Sequence, residues 1–307
     1  MNEYGRRGTV LIAEDDEVDL LFLQEALEER GGAGDVRSVK DGEELMDYLH
    51  RQGRFMEDPP PRPALILLDL RMPRKDGFEA LREIREDPDL RLIPVVILST
   101  SRMEEDIQRA YELGADSYIT KPDAFEGLVE AMGVLEKYGF KTVSFQRGER
   151  PMNESERRGT VLIAEDDEED LLLIQEALEE CGNADGVQSV KDGEELMDYL
   201  HRQGRFMEAP PPRPVLILLD LRMPRKDGFE ALREIREDPD LRLIPVVILS
   251  TSRLEEDVQR GYELGANSYI SKPDAFEGLV EAMSVLEKYW FKTVSLPRPN
   301  GEQPYIL

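Results

Sequence analysis

The chain has 307 residues, 40% hydrophobic and 34% charged, a composition typical of globular proteins with about two domains. Its formal net charge of -27 disfavours binding to nucleic acid, because the chain would repel the phosphate backbone. No apolar run approaches the roughly 18 residues of a membrane span, the start MNEYGRRGT lacks the apolar core of a secretory signal, and Cys181 is the only cysteine. We therefore expect a cytoplasmic protein that contacts neither nucleic acid nor membrane.

The chain consists of two copies of one sequence. When it is shifted by 151 residues, positions 8–145 and 159–296 differ at only 18 of 138 sites, and residues 65–102 recur without change. A repeat of this length is a whole domain rather than a unit of a solenoid, whose repeats are roughly 20 to 50 residues. We therefore place a first domain at 1–145, a polar linker at 146–158, a second domain at 159–296 and a C-terminal tail at 297–307.

Each copy alternates short apolar runs with segments of helical spacing. This alternation predicts a parallel sheet with helices on both faces, joined by right-handed crossovers. In the first copy the predicted strands are Thr9–Ala13, Val36–Lys40, Leu65–Leu68, Pro94–Leu98 and Ser117–Thr120. The predicted helices are Asp19–Glu29, Gly42–Arg51, Phe78–Arg85, Glu104–Leu113 and Asp123 to about Tyr138.

Polar side chains follow four of the five predicted strands. Glu14 and Asp15 follow the first strand, Asp69 the third, Thr100 the fourth and Lys121 the fifth. In parallel sheets these carboxyl ends line one crevice, where ligands bind. Carboxylates without histidine or thiol ligands favour a hard cation such as Mg²⁺, and a lysine and a hydroxyl suit phosphoryl oxygens. The central carboxylate can then act as a nucleophile and form an acyl phosphate. The counterparts in the second copy are Glu165, Asp166, Asp220, Thr251 and Lys272.

Four motifs of each copy resemble those of receiver domains of two-component response regulators. In the first copy they read LIAEDDE, LILLDLRMP, VVILSTS and GADSYITKP, in the order typical of that family. The insertion HRQGRFMEDPPPRP, the turn PRKDG and the segment YWFKTVSLP further resemble the small regulators that serve bacterial phytochrome kinases. The resemblance implies an α/β fold for each copy, a flavodoxin-like (βα)5 domain whose five-stranded parallel sheet has the order 2-1-3-4-5.

The resemblance implies roles for the acidic residues. Asp69 would take phosphate from the phosphohistidine of a sensor histidine kinase. Asp15 would ligate Mg²⁺ directly and Glu14 through water, and the carbonyl of Arg71 would complete the protein ligands. The corresponding residues of the second copy are Asp220, Asp166, Glu165 and Arg222.

Three further residues acquire roles through the same resemblance. Lys121 would pair with the phosphoryl group, Thr100 would hydrogen-bond to it, and Tyr118 would turn inward when Thr100 moves. The family also implies a cis peptide bond between Lys121 and Pro122. The corresponding residues of the second copy are Lys272, Thr251, Tyr269 and Pro273.

Two arginines depart from the commonest pattern of the family. Arg71 lies two residues after Asp69, and Arg102 lies two residues after Thr100. We hypothesise that both tune the lifetime of the phosphate by controlling access of water. The alternative is that they only balance acidic neighbours on the surface.

The function implied is that of a response regulator with two receiver domains and no output domain, which signals through protein contacts. It would catalyse only its own phosphorylation and dephosphorylation. A histidine phosphotransfer protein is a second candidate partner besides the kinase. Members of the subfamily tend to pair through the fourth helix, the fifth strand and the fifth helix, so an internal pseudo-dimer and a homo-oligomer both stay open.

Two other functions compete with this interpretation. A phosphorylation-independent scaffold would use the duplication only to supply two docking faces. An aspartyl-nucleophile phosphatase would use the same strand-end carboxylate, but it needs a second acid two residues further on to protonate the leaving group. Arg71 and Arg222 occupy that position and cannot serve as such an acid.

Overall fold

A computed structural model describes most of both copies. The chain divides into two compact units that correspond closely to the two copies. The predicted linker 146–158 and tail 297–307 lie outside the described residues, and the predicted domain limits stay predictions. The residues described are 9–29, 35–122, 124–139, 160–181, 186–273 and 275–294.

The first unit alternates five strands with five helices, as the pattern predicts. Its strands are β1 (Thr9–Ala13), β2 (Val36–Val39), β3 (Pro63–Leu68), β4 (Val95–Ser99) and β5 (Ser117–Thr120). Its helices are α1 (Glu17–Glu29), α2 (Gly42–His50), α3 (Gly77–Glu86), α4 (Glu104–Glu112) and α5 (Phe125–Gly139), and a 3-10 turn spans Gly53–Phe55. The sheet is parallel throughout, with the order β2-β1-β3-β4-β5, so the predicted fold is confirmed.

The second unit repeats this architecture. Its strands are β6 (Thr160–Ala164), β7 (Val187–Val190), β8 (Pro214–Leu219), β9 (Val246–Ser250) and β10 (Ser268–Ser271). Its helices are α6 (Glu168–Glu180), α7 (Gly193–His201), α8 (Gly228–Glu237), α9 (Glu255–Glu263) and α10 (Phe276–Glu287), followed by a π-helical turn at Lys288–Thr293. The strand order, β7-β6-β8-β9-β10, is that of the first unit.

The central strand β3 is buried on both of its faces. Residues Leu65–Leu68 are at most 3% exposed, because β3 lies between β1 and β4 and helices cover the sheet. The core of each sheet is therefore built from continuous apolar runs, and the polar residue after each run is placed at the edge of the sheet. No helix of the described residues is long and apolar enough to cross a membrane.

Helix α1 begins two residues earlier than the sequence predicts. The carboxylate of Asp16 accepts hydrogen bonds from the amides of Val18 (2.8 Å) and Asp19 (3.0 Å). Asp16 therefore caps the helix, which starts at Glu17 rather than at Asp19. The first turn of α1 consequently lies directly after the acidic residues that follow β1.

The start of α3 fixes the backbone around Asp69. Asp76 forms a capping box with Glu79, in which each side chain accepts a hydrogen bond from the other residue's amide. A Cβ atom on the first helical residue, Gly77, would lie 2.2 Å from the carbonyl oxygen of Asp69. Only glycine permits this close approach of helix and strand end. Gly228 makes the same contact with Asp220.

Candidate functional site

Three carboxylates meet at the carboxyl edge of the first sheet. One oxygen from each of Glu14, Asp15 and Asp69 lies within 4.8 Å of the others. Glu14 and Asp69 are buried, at 3% and 6% exposure, whereas Asp15 is exposed. Glu165, Asp166 and Asp220 form the same cluster in the second unit. The acidic side chains that the strand-end pattern predicts to meet thus lie together in both units.

Lys121, at the end of β5, reaches across to this cluster. Its Nζ lies 2.6 Å from Glu14 Oε2, 2.8 Å from Asp19 Oδ2 and 3.3 Å from Asp69 Oδ1. Lys272 makes the equivalent three contacts in the second unit at 2.6, 2.7 and 3.3 Å. The lysine therefore holds together acids from three separate elements of each unit.

Asp19 is a member of the site that sequence reasoning missed. It lies in the first turn of α1, three residues after the capping residue Asp16, and its carboxylate pairs with Lys121. The sequence contained a signal for it, namely Asp16 as a helix-capping residue. Recognising this cap places the start of α1 at Glu17 and its first turn next to the acidic cluster. In the second unit Asp170 takes the same place beside Lys272.

The electrostatics of the site follow from burial and from the excess of acids. Burial raises the pKa of Glu14 to about 7, although Lys121 opposes the shift. Burial disfavours the charged form of Lys121, yet the carboxylates of Asp69, Asp19 and Glu14 together raise its pKa. Several carboxylates thus face one ammonium group, which leaves an excess of negative charge at the edge of the sheet. Such a set of oxygen donors fits a small hard cation.

The two oxygens of Asp69 have different surroundings. The amide of Arg71 donates to Oδ2 at 2.6 Å, while Oδ1 faces the ammonium of Lys121. The amide of Asp69 itself donates to the carbonyl of Ala13, which ties the residue to β1. The carboxylate is therefore held in one orientation in the crevice, and Arg222 holds Asp220 in the same way at 2.6 Å.

Thr100 and Lys121 both line a cavity of about 400 Å³ that opens beside the cluster. Asp19 and Arg102 also line it, together with apolar residues of α1 and α5 such as Phe22 and Phe125, whose ring centroids are 5.6 Å apart. Thr100 is exposed, and it follows directly after β4. A group bound to the phosphoacceptor would thus have free space on the side of the hydroxyl.

Tyr118 is buried inside the first unit. Its ring is fully enclosed, and its hydroxyl donates to the carbonyl of Ser101 at 2.9 Å. Tyr269 makes the same hydrogen bond with Ser252 at 2.9 Å. Both aromatic side chains are therefore buried within their units, and their role as switch residues stays a prediction.

One expectation from the resemblance is wrong in this structure. The peptide bond between Lys121 and Pro122 is trans, and no cis peptide bond occurs among the described residues. The physical reason is that the trans form is the lower-energy isomer even before proline.

A family model for the response regulator receiver domain matches residues 10–133 and again residues 161–284. The chain therefore belongs to the response regulator receiver domain family, and it carries two such domains in tandem. The two matched regions together contain both acidic clusters and both lysines described above.

Among known proteins, this chain is similar to the response regulator Rcp1 of Synechocystis sp., with 41% identity over 145 residues, which are 47% of this chain and 97% of Rcp1. It is 36% identical over 149 residues to the probable methanogenesis regulatory protein FilR2 of Methanothrix harundinacea, covering 48% of this chain and 92% of FilR2. Each relative thus corresponds to about one copy.

Two solved structures are each similar in sequence to about one copy of this chain. The phosphorylated cyanobacterial phytochrome response regulator RcpA is 43% identical and covers 46% of this chain and 99% of its own, with a TM-score of 0.43. The Mn(2+)-bound form of Rcp1 is 40% identical over the same shares, with a TM-score of 0.42. The acidic clusters of this chain supply carboxylate oxygens of the kind that can hold a divalent metal.

Proposed function

We propose that both receiver domains are phosphoacceptors, and that Asp69 and Asp220 take a phosphoryl group from the phosphohistidine of a sensor histidine kinase. A carboxylate oxygen attacks the phosphorus, the bond from phosphorus to the histidine nitrogen breaks, and an acyl phosphate forms on the aspartate. One observation carries the proposal: each phosphoacceptor lies 3.3 Å from a partly buried lysine and within a cluster of carboxylates that could hold a metal ion, twice in one chain.

The cation is proposed to be Mg²⁺. Glu14, Asp15, Asp69 and the carbonyl of Arg71 would hold it in the first domain, with the counterparts Glu165, Asp166, Asp220 and Arg222 in the second. Only oxygen donors lie in each cluster, which suits Mg²⁺ with part of its water shell retained. When bound, the ion neutralises charge on the phosphoryl oxygens and orients them for transfer.

Lys121 and Thr100 would bind the remaining phosphoryl oxygens. The ammonium of Lys121 already faces Asp69. To bind a phosphoryl group there, it would give up its ion pairs with Glu14 and Asp19. Thr100 borders the adjoining cavity and supplies a hydroxyl donor. We assign Tyr118 as the switch residue, because its hydroxyl is bonded to the loop that carries Thr100. Lys272, Thr251 and Tyr269 would act alike in the second domain.

The partner that fits this site is a sensor histidine kinase in the cytoplasm, and the resemblance of the insertion and of the YWFKTVSLP segment favours a phytochrome kinase. A histidine phosphotransfer protein would present the same phosphohistidine. The output would be carried by protein contacts, with pairing through the fourth helix, fifth strand and fifth helix of a domain. We also propose the domain limits that the repeat predicts. The receiver domains span 1–145 and 159–296, with a linker at 146–158 and a tail at 297–307.

The proposal is tested by counting phosphates on the full chain with a small phosphodonor and Mg²⁺. We expect two per chain for the wild type, one each for Asp69→Asn and Asp220→Asn, and none for the double variant. Omission of Mg²⁺ should abolish labelling of the wild type and of both single variants. A wild-type chain that stays unlabelled under every phosphodonor would support a phosphorylation-independent scaffold, and label retained by the double variant would place the phosphate elsewhere.

A further inference from the structure

Asp106, in the first turn of α4, contacts two loops that border the phosphoacceptor. Its Oδ2 accepts a hydrogen bond from Ser101 Oγ at 2.5 Å and lies 3.9 Å from Nη2 of Arg71. The backbone amide of Arg71 in turn donates to Asp69 at 2.6 Å. One residue, Arg71, thus touches the phosphoacceptor through its backbone and α4 through its side chain.

The other contact of Asp106 supports the loop between β4 and α4. Ser101 is buried, and its Oγ also accepts from the amide of Met103 at 3.3 Å, while its carbonyl accepts from the hydroxyl of Tyr118. Met103 caps α4 without a side-chain hydrogen bond. The hydroxyl of Ser101 and the carboxylate of Asp106 therefore brace the start of this helix.

The ion pair between Asp106 and Arg71 is weak enough for a stronger anion to displace Asp106. The side chain of Arg71 is 70% exposed, and its charged nitrogen is at 3.9 Å, so water screens the attraction. A phosphoryl group on Asp69 would bring close to two negative charges and three acceptor oxygens. Guanidinium groups bind such oxygens with two parallel hydrogen bonds, which the single contact to Asp106 does not provide.

We propose that Asp106 is a positioning residue that restrains the side chain of Arg71, and that phosphorylation of Asp69 transfers this side chain from Asp106 to the phosphoryl group. The inference rests on the proposed phosphorylation of Asp69. Hydrolysis requires a water oxygen to attack phosphorus while the bond from phosphorus to the Asp69 oxygen breaks and inorganic phosphate leaves. A guanidinium on the phosphoryl oxygens hinders that approach of water, so competition by Asp106 shortens the lifetime of the acyl phosphate.

The test follows loss of phosphate from Asp69 in the Asp220→Asn background, where only the first domain is labelled. After labelling with acetyl phosphate and Mg²⁺, the donor is removed and the remaining phosphate is measured over time. Asp106→Asn removes the charge but keeps an oxygen that can accept from Ser101. We expect it to lengthen the half-life about twofold to fivefold, the range for release of a surface ion pair. Arg71→Ala should shorten the half-life.

The decisive variant combines the two substitutions. If Asp106 acts through Arg71, the Arg71→Ala/Asp106→Asn chain has the half-life of Arg71→Ala alone. Glu105→Gln is the matched control, because it removes an exposed carboxylate from the same helical turn and should leave the half-life unchanged.

Three outcomes would overturn the inference. The first is an unchanged half-life in Asp106→Asn, and the second is an equal change with and without Arg71, which would indicate a purely structural role. A Glu105→Gln variant as long-lived as Asp106→Asn would show that general charge is responsible. Absence of label in the Asp220→Asn parent would instead overturn the proposed function, and the inference with it.

Discussion

The two receiver domains hold the same arginine in different electrostatic surroundings. In the first, Arg85 Nη2 donates to Asp116 Oδ2 at 2.8 Å, and both side chains are mostly buried. In the second, Arg236 Nη2 donates to Asn267 Oδ1 at 2.9 Å. An ion pair in one domain is thus matched by a hydrogen bond to a neutral amide in the other.

The remaining contacts of the arginine do not change. Arg85 also donates to the carbonyls of Gly114, Arg91 and Ile93, and Arg236 makes the equivalent bonds in the second domain. Burial without a carboxylate lowers the pKa of Arg236 to about 10. The comparison teaches that aspartate and asparagine can exchange where shape and acceptor geometry are preserved, while the local charge balance changes. The exchange lies at the amino end of the fifth strand, opposite the acidic cluster.

The largest expected difference between the domains comes from removing this arginine. Arg85→Met leaves the carboxylate of Asp116 without its cation, which should cost about 3 kcal/mol of unfolding free energy, the lower end for a broken buried pair. Arg236→Met removes the donor from the neutral Asn267 and from three carbonyls but leaves no buried charge behind, and we expect a smaller cost of about 1 to 2 kcal/mol. The peptides of α4 and α9 differ in sequence, so hydrogen exchange measured on these peptides in the full chain reports the stability of each domain separately. Equal costs would show that the charge of Asp116 is irrelevant.

A second comparison concerns the middle of the fourth helix of each domain. Ala110 is fully buried in α4, whereas α9 has Gly261 at this position, where an added Cβ would lie 2.6 Å from Ile248 Cδ1. Ala110→Gly should therefore destabilise the first domain by about 1 to 2 kcal/mol, through lost helix propensity and a lost methyl contact. Hydrogen exchange of the α4 and α9 peptides at increasing denaturant concentration measures the change in the free energy of unfolding of each domain.

The reciprocal substitution sharpens this second comparison. Gly261→Ala gains helix propensity of up to about 1 kcal/mol, but the terminal methyl of Ile248 must move to make room. We expect a net change well under 1 kcal/mol. Adding Ile248→Val removes the obstructing methyl group and should make Gly261→Ala clearly stabilising relative to Ile248→Val alone. If Gly261→Ala leaves stability unchanged in the Ile248→Val background as well, the contact with Ile248 is not what offsets the gain in helix propensity.

The smallest expected difference involves a histidine at the end of the second helix. His201 Nε2 lies 2.9 Å from Asp238 Oδ2, whereas His50 Nδ1 lies 3.8 Å from Asp87 Oδ2. The hydrogen bond from His201 lowers the pKa of Asp238. A depressed carboxyl pKa contributes stability above the unfolded value of about 3.9, and this contribution is lost as the pH falls through the folded value.

Asp238→Asn should accordingly reduce the stability of the second domain at pH 5 to 6 by a few tenths of a kcal/mol, because solvent screens this partly exposed pair. The reduction should disappear as the pH falls through the lowered folded pKa of Asp238, because the carboxyl group is then protonated in both states. Asp87→Asn should have a smaller effect on the first domain, and thermal unfolding at several pH values compares the two. A loss for Asp238→Asn that persists unchanged at low pH would exclude an electrostatic origin.

Local pattern was sufficient to establish the architecture and most of the candidate site. Apolar runs such as Leu65–Leu68 can only be buried strands in this alternation, and parallel strands necessarily bring their carboxyl ends to one edge. The prediction that Glu14, Asp69 and Lys121 meet followed from topology and was confirmed by their distances. The roles assigned to these residues stay predictions until phosphate is measured.

What local pattern did not reveal are contacts that depend on rotamers and on the paths of loops. The pairing of Asp19 with Lys121 required the helix to start earlier than its apolar spacing indicates, because a cap and not a hydrophobic residue begins it. The approach of Arg71 to Asp106 joins residues 35 positions apart, one in the loop after β3 and the other in the first turn of α4. Hydrophobic periodicity records which face of an element is buried, whereas such distances arise only when separate elements are packed together.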